Sequence, residues 1–195
     1  MHPPVFDESF LKENSELDEK QIREIEQIYS KISELYSVLR EKMMGQWNRC
    51  VPLNDLFTDR WEKARYLGFG EGSSIYDSSL VLGDVKVGEN TWIGPFTVLD
   101  GSGGLEIGSF CSVSAGVQIY THDTVKWALS GGKEEPERLP TRIGSRCYLG
   151  PNSIIAKGVT IGDGCIVGAN SLVLEDIPPN SKAVGTPCKV VGKVD

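Results

Sequence analysis

The chain holds two histidines, and only His122 sits inside a patterned stretch; His2 lies near the start of the chain. An imidazole is the side chain best suited to accept a proton near neutral pH. His122 stands in Tyr120-Thr121-His122-Asp123, where regular sequence gives way to a long irregular segment, and this position makes it the candidate general base. Asp123 beside it is a candidate to orient the ring. Trp127, a few residues on, can shield such a site, stack on a sugar ring or anchor the loop. A zinc site built from three histidines is excluded by their number, and no metal is expected. Of the five cysteines, Cys111, Cys147 and Cys165 occupy equivalent small positions of a repeat and read as core residues. Cys50 and Cys188 lie outside it, no CxxC occurs, and an odd count suits a reducing compartment.

The element that must position His122 is a six-residue rhythm. Branched aliphatic residues recur at Ile75, Val81, Val87, Ile93 and Leu99. They resume after a two-residue slip through Gly101, Gly103 and Gly104 at Ile107, Val113 and Ile119, and again at Ile143, Leu149, Ile155, Ile161, Val167 and Val173. The following residue is often Gly, expected to give the corner a positive φ, and the fourth residue on is small or β-branched. Such a period means a solenoid of short strands and corners, a mainly β parallel β-helix whose turns stack at one strand spacing. Between Ile119 and Ile143 the rhythm stops, so residues 121–142 are expected to protrude as a loop. At the far end, Pro178 and Pro179 are expected to stop ladder pairing.

Residues 1–70 read as a helical segment and 71–195 as the β-helix. Ser15 with Asp18 makes a plausible capping box for a long helix over about 15–44, with Gly45 as its stop. Its apolar residues Ile22, Ile25, Tyr29, Ile32, Tyr36, Leu39 and Met43 alternate by three and four. They form either a seam against the same helix of neighbouring subunits or a cover for an open face of the β-helix. Thr58 can cap a short helix over about 58–67, ended by Gly68. A net charge of -7 argues against nucleic acid or an anionic membrane as main partner. No stretch is apolar enough for a membrane span, and the N-terminus lacks the basic start and apolar run of a signal peptide, so the cytoplasm is the expected location.

The hexads, the loop opening Thr121-His122-Asp123 and the closing run Asp176-Ile177-Pro178-Pro179-Asn180-Ser181 with Val184-Gly185-Thr186-Pro187-Cys188-Lys189 together resemble the hexapeptide-repeat acyltransferases. The resemblance is to the galactoside, maltose and nodulation acetyltransferase branch and its polysaccharide O-acetyltransferase relatives, over Ile75 to Lys193. It implies a left-handed coil, a homotrimer with active sites in the grooves between subunits, and acetyl-CoA as donor. It implies that His122 is catalytic, that the pantetheine arm runs near Pro151, Ala169 and Leu174, and that Lys189 lies near the nucleotide end of CoA. Asp100 is the nearest counterpart of the acceptor-binding carboxylate. Two positions depart from the pattern: Gly192 stands where a second basic residue is frequent, and Leu174-Glu175 replaces a threonine-lysine pair. The expected activity is direct acetyl transfer to a sugar hydroxyl of a surface polysaccharide or its precursor. The alternatives are N-acetylation of a nucleotide-linked amino sugar and a non-catalytic trimeric assembly module.

Overall fold

A computed structural model describes residues 16–194. The chain divides into two units after Phe57. In the first, helix α1 (Glu19–Trp47) is opened by a capping box on Asp18. The Asp18 carboxylate accepts from the N–H groups of Lys20 and Gln21, and the Gln21 side chain accepts from Asp18 N–H in return. Ser15, the expected cap, lies outside the described residues. Gly45 does not stop the helix, which runs on to a left-handed Asn48. Ile22 is buried, whereas Ile28, Ile32 and Leu35 are exposed. A short helix, α2 (Leu53–Phe57), follows.

The second unit begins with α3 (Arg60–Tyr66). Its cap is Asp59, one residue past the expected Thr58, because a carboxylate there reaches the N–H groups of both Trp61 and Glu62. Gly68 ends it with φ 73°. Ala64 and Phe69 enter the same buried cluster as Ile75, and Lys63 Nζ donates to the carbonyls of Tyr76 and Asp77. These contacts group the short helix with the coils.

The coils form three faces. The first carries β1 (Ser74–Ile75), β3 (Trp92–Ile93), β5 (Ser112–Val113), β10 (Tyr148–Leu149), β13 (Ile166–Val167) and β15 (Ser181–Gly185) in parallel register. The second carries β6 (Gln118–Ile119), β11 (Ile154–Ile155) and β14 (Leu172–Val173). The third carries β9 (Thr141–Ile143) and β12 (Thr160–Ile161). In the first two turns, β2 (Leu80–Val87) and β4 (Val98–Ile107) run without a break over the second and third faces. Every hexad aliphatic is buried except the half-buried Val81, and the small positions Thr91, Thr97, Cys111, Cys147, Ser153, Cys165 and Ser171 lie beside them in the core.

Two expectations are corrected. The glycine after each aliphatic is not in the left-handed region; that conformation falls two residues later, at Asn90, Phe96, Phe110, Arg146, Asn152 and Asn170. The glycine is required by close stacking instead: a Cβ on Gly150 would stand 2.5 Å from the N of Ala169 on the next turn. The prolines at 178 and 179 interrupt only the third face, where Ile177 keeps one bridge to Ile161. The first face continues through β15, and β16 (Cys188–Lys193) then folds back antiparallel on it. No helix among the described residues is long and apolar enough to cross a membrane.

The register makes a direct stability contrast. Ile155→Ala, inside the coil, should cost about 2–5 kcal/mol in denaturant unfolding, whereas Thr160→Ala, on the outer surface, should stay within about 0.5 kcal/mol. Equal costs would contradict the inward assignment.

Candidate active site

The site begins with a mismatch between neighbouring turns. From Val81 to Val87 the chain takes six residues round the corner between the second and third faces. From Leu99 to Ile107, paired against it, it takes eight, and the register shifts between Gly83 and Val85. The surplus turns Asp100 into the interior, where its side chain is wholly buried. Gly103 is needed at this bulge, because a Cβ would stand 2.5 Å from the carbonyl oxygen of Thr121.

One turn on, at the same corner, the long insertion departs from Thr121. Its neck is a two-residue antiparallel ladder of β7 (His122–Asp123) and β8 (Glu137–Arg138), and it carries a short helix, α4 (Val125–Leu129). The insertion is therefore partly ordered structure, and coil pairing resumes at Thr141.

Asp100 joins the two irregularities. Its Oδ1 accepts from Ser102 N–H at 3.0 Å, and its Oδ2 accepts from Thr121 N–H at 2.9 Å. The same Oδ2 stands 2.6 Å from Nδ1 of His122. The Thr121 hydroxyl donates to the Asp100 carbonyl and accepts from Gly103 N–H. Burial would push the Asp100 carboxyl up, but the hydrogen bonds from Ser102, Thr121 and His122 together hold it well below the usual carboxylate range. An ionised carboxylate only accepts, so Nδ1 carries the proton and Nε2 keeps its lone pair. The imidazole remains about one-third exposed, which leaves it open to a reacting group.

Asp123 does not orient the ring. Its Oδ2 lies 2.7 Å from Nζ of Lys157, on the next turn, and that ammonium also reaches Glu137 Oε2 at 2.9 Å. The bond to Lys157 holds the Asp123 carboxyl low, and Lys157 is held high by the pair of carboxylates. Asp100 faces inward with its oxygens engaged, so in this chain it supports His122 and presents no atom to an acceptor. Trp127 stands exposed on α4, its indole close over Gly132.

The residues expected at the cofactor lie elsewhere. Pro151 and Ala169 are exposed on successive turns of the corner between the first and second faces, where Asn170 N–H donates to the Pro151 carbonyl at 2.9 Å. A whole face separates that corner from His122 within one chain. Leu174 is exposed just past β14, and Lys189 on β16 pairs with the adjacent Glu175 at 3.0 Å. Thr121 and Lys157 were not singled out by the sequence; the one trace of Lys157 is a cation at the corner one turn beyond the insertion.

Residues 140–175 match the pattern of the bacterial transferase hexapeptide family (six repeats). Galactoside O-acetyltransferase of Escherichia coli (strain K12) is 30% identical over 129 residues, covering 56% of this chain and 64% of that protein. A Staphylococcus aureus (strain COL) protein named as an acetyltransferase is 48% identical over 56 residues, so the chain spans only 28% of that curated relative. Among solved structures, a maltose O-acetyltransferase from Clostridium difficile 630 superposes with a TM-score of 0.56 at 30% identity, over 83% of this chain and 89% of that one. An N-acyltransferase from Bacillus cereus, solved with dTDP and coenzyme A, reaches 0.60 at 24% identity over 65% and 73%, a likeness of fold. With the coil, the register and a 30% identical relative covered almost throughout, the chain belongs to the hexapeptide-repeat acetyltransferases, in the branch of the galactoside and maltose enzymes.

Proposed function

We propose that the chain transfers an acetyl group from acetyl-CoA directly to a sugar hydroxyl, with His122 as general base. The observation that carries this reading is the 2.6 Å contact between Asp100 Oδ2 and His122 Nδ1, which leaves Nε2 as the basic nitrogen. A free hydroxyl is a weak nucleophile, and a positioned base contributes roughly 10²–10⁴-fold. Nε2 removes the hydroxyl proton as the oxygen attacks the thioester carbonyl carbon. The C–S bond then breaks, and the imidazolium returns the proton to the departing CoA thiolate. No acyl-enzyme forms. The O-acetylating relatives at 30% identity support a sugar hydroxyl over an amine.

The separation of half-sites supports a closed homotrimer. One chain places His122 on one corner and the Pro151–Ala169 corner on another, so a pantetheine lying along Pro151 and Ala169 meets the His122 of a neighbour, not its own. Leu174 lies along the same donor path, and Lys189, released from Glu175, supplies charge for the nucleotide phosphates. Trp127, exposed on the loop, is placed to cover an acceptor ring. Such a cytoplasmic enzyme would act on a surface-polysaccharide precursor.

Acetyl-CoA should raise the melting temperature, and a panel of sugars and nucleotide-linked amino sugars should give thiol release with a hydroxyl acceptor. Absence of any shift would favour an assembly module, and release with amines alone would make the enzyme an N-acetyltransferase. His122→Ala should lower turnover by at least about two orders of magnitude, with the oligomer intact; near-normal rates would remove the base.

Asp100→Asn exchanges an acceptor for an amide that can fix the wrong tautomer, and should lower kcat on the order of 10²–10⁴-fold. It also tests the buried charge. The folded Asp100 carboxyl titrates below its unfolded counterpart at about 3.9. Its contribution to stability is therefore complete above that value and is lost as pH falls further. The urea midpoint of Asp100→Asn should thus decline less steeply than that of the parent between about pH 5 and about pH 3. Parallel declines would show that the carboxylate carries no such linkage.

A further inference from the structure

The neck of the His122 loop is a ladder that should not hold by itself. It has two residue pairs, His122 opposite Arg138 and Asp123 opposite Glu137. So short a hairpin is marginal in water, and like charges directly across a ladder repel. A single cation resolves this: Lys157 Nζ stands 2.7 Å from Asp123 and 2.9 Å from Glu137, and its side chain is only 18% exposed. Lys157 belongs to the next turn of the coil, so it fastens both strands of the neck to the rigid prism. A weaker contact, Lys126 to Glu137 at 3.3 Å, comes from the loop itself and is mostly exposed.

We propose that Lys157 is a positioning residue for His122: it clasps both strands of the loop neck, so that the ring stays on Asp100. The inference rests on the reading of His122 as base. The ring itself meets Asp100 on β4; the other charged groups of the neck are Asp123, Arg138 opposite His122, Glu137 opposite Asp123, Lys126 on α4 and Lys157 on the next turn. Removing Lys157 leaves two carboxylates in the neck, with one exposed lysine, Lys126, on Glu137 only. Uncompensated anions favour imidazolium, and a loosened neck weakens the fixed hydrogen bond from His122 to Asp100.

Only two histidines occur in the chain, so their Cε1–H resonances can be followed separately through a pH titration by NMR. Lys157→Met should move the His122 midpoint up by about half a pH unit, and Lys157→Arg should return it to the parent value. Trypsin cleavage after Lys126 and Lys133 should quicken several-fold in Lys157→Met and stay slow in Lys157→Arg. An unmoved His122 midpoint in Lys157→Met, or a shift that arginine does not reverse, overturns the proposal. Neither readout depends on turnover, so this failure is separable from an active His122→Ala, which would remove the base itself.

Discussion

Parallel stacking at one strand spacing is the constraint from which the rest of this structure follows. Each turn must present its N–H and C=O groups to the turns above and below, as Gly94 N–H does to the Val113 carbonyl and Gly150 N–H to that of Val167. A turn with surplus residues cannot spread them along a face without losing that ladder. They must leave at a corner. The two surpluses described above do so at one corner on consecutive turns, first as the eight-residue crossing from Leu99 to Ile107, then as the insertion after Thr121. The site is made where the repeat is broken, and the unbroken turns on either side hold it rigid.

A buried carboxylate is costly unless its oxygens are satisfied. Here the cost is met by backbone N–H groups from two different turns, Ser102 and Thr121, together with the His122 ring. The arrangement ties the ionisation of Asp100 to the register of the bulge. A regular hexad at this place would turn the residue outward, leave the carboxylate in solvent and the imidazole without a fixed tautomer. The geometry of the Asp100–His122 pair is thus a property of the two extra residues, and Gly103, which permits the approach to Thr121, matters as much as the charged pair.

Much of the fold was legible because a period of six has one reading: the inward aliphatics and the small residues beside them fell where the spacing put them. His122 was singled out by its scarcity and its place at the break. The positive φ was misassigned from the glycines, since glycine signals either backbone freedom or close approach, and the spacing cannot say which. Asn90, Asn152 and Asn170, two residues on, carried the signal that was missed. The partner of His122 was misread for a related reason. Asp123 is next in sequence, but adjacent residues on a strand point to opposite sides, while Asp100 is brought close only by stacking and by the bulge. Lys157 was invisible because its relation to Asp123 and Glu137 exists only across turns.

The distribution of cations separates structural from available charge. Lys157 is held between two carboxylates in a largely covered position, where loss of one partner leaves an uncompensated charge, so it is committed to the fold. Lys189 is paired to Glu175 in the open, with both side chains well over half exposed, and such pairs contribute about 0–1 kcal/mol. A phosphate oxygen with comparable access can therefore displace Glu175 at little cost. On a chain with a net charge of -7, a lysine restrained this weakly and standing beside Leu174 at the end of the coil is the kind of cation an anionic donor can recruit. On the proposed reading, Glu175 in place of a basic residue does not remove the donor-end cation: it holds Lys189 until a stronger anion displaces it.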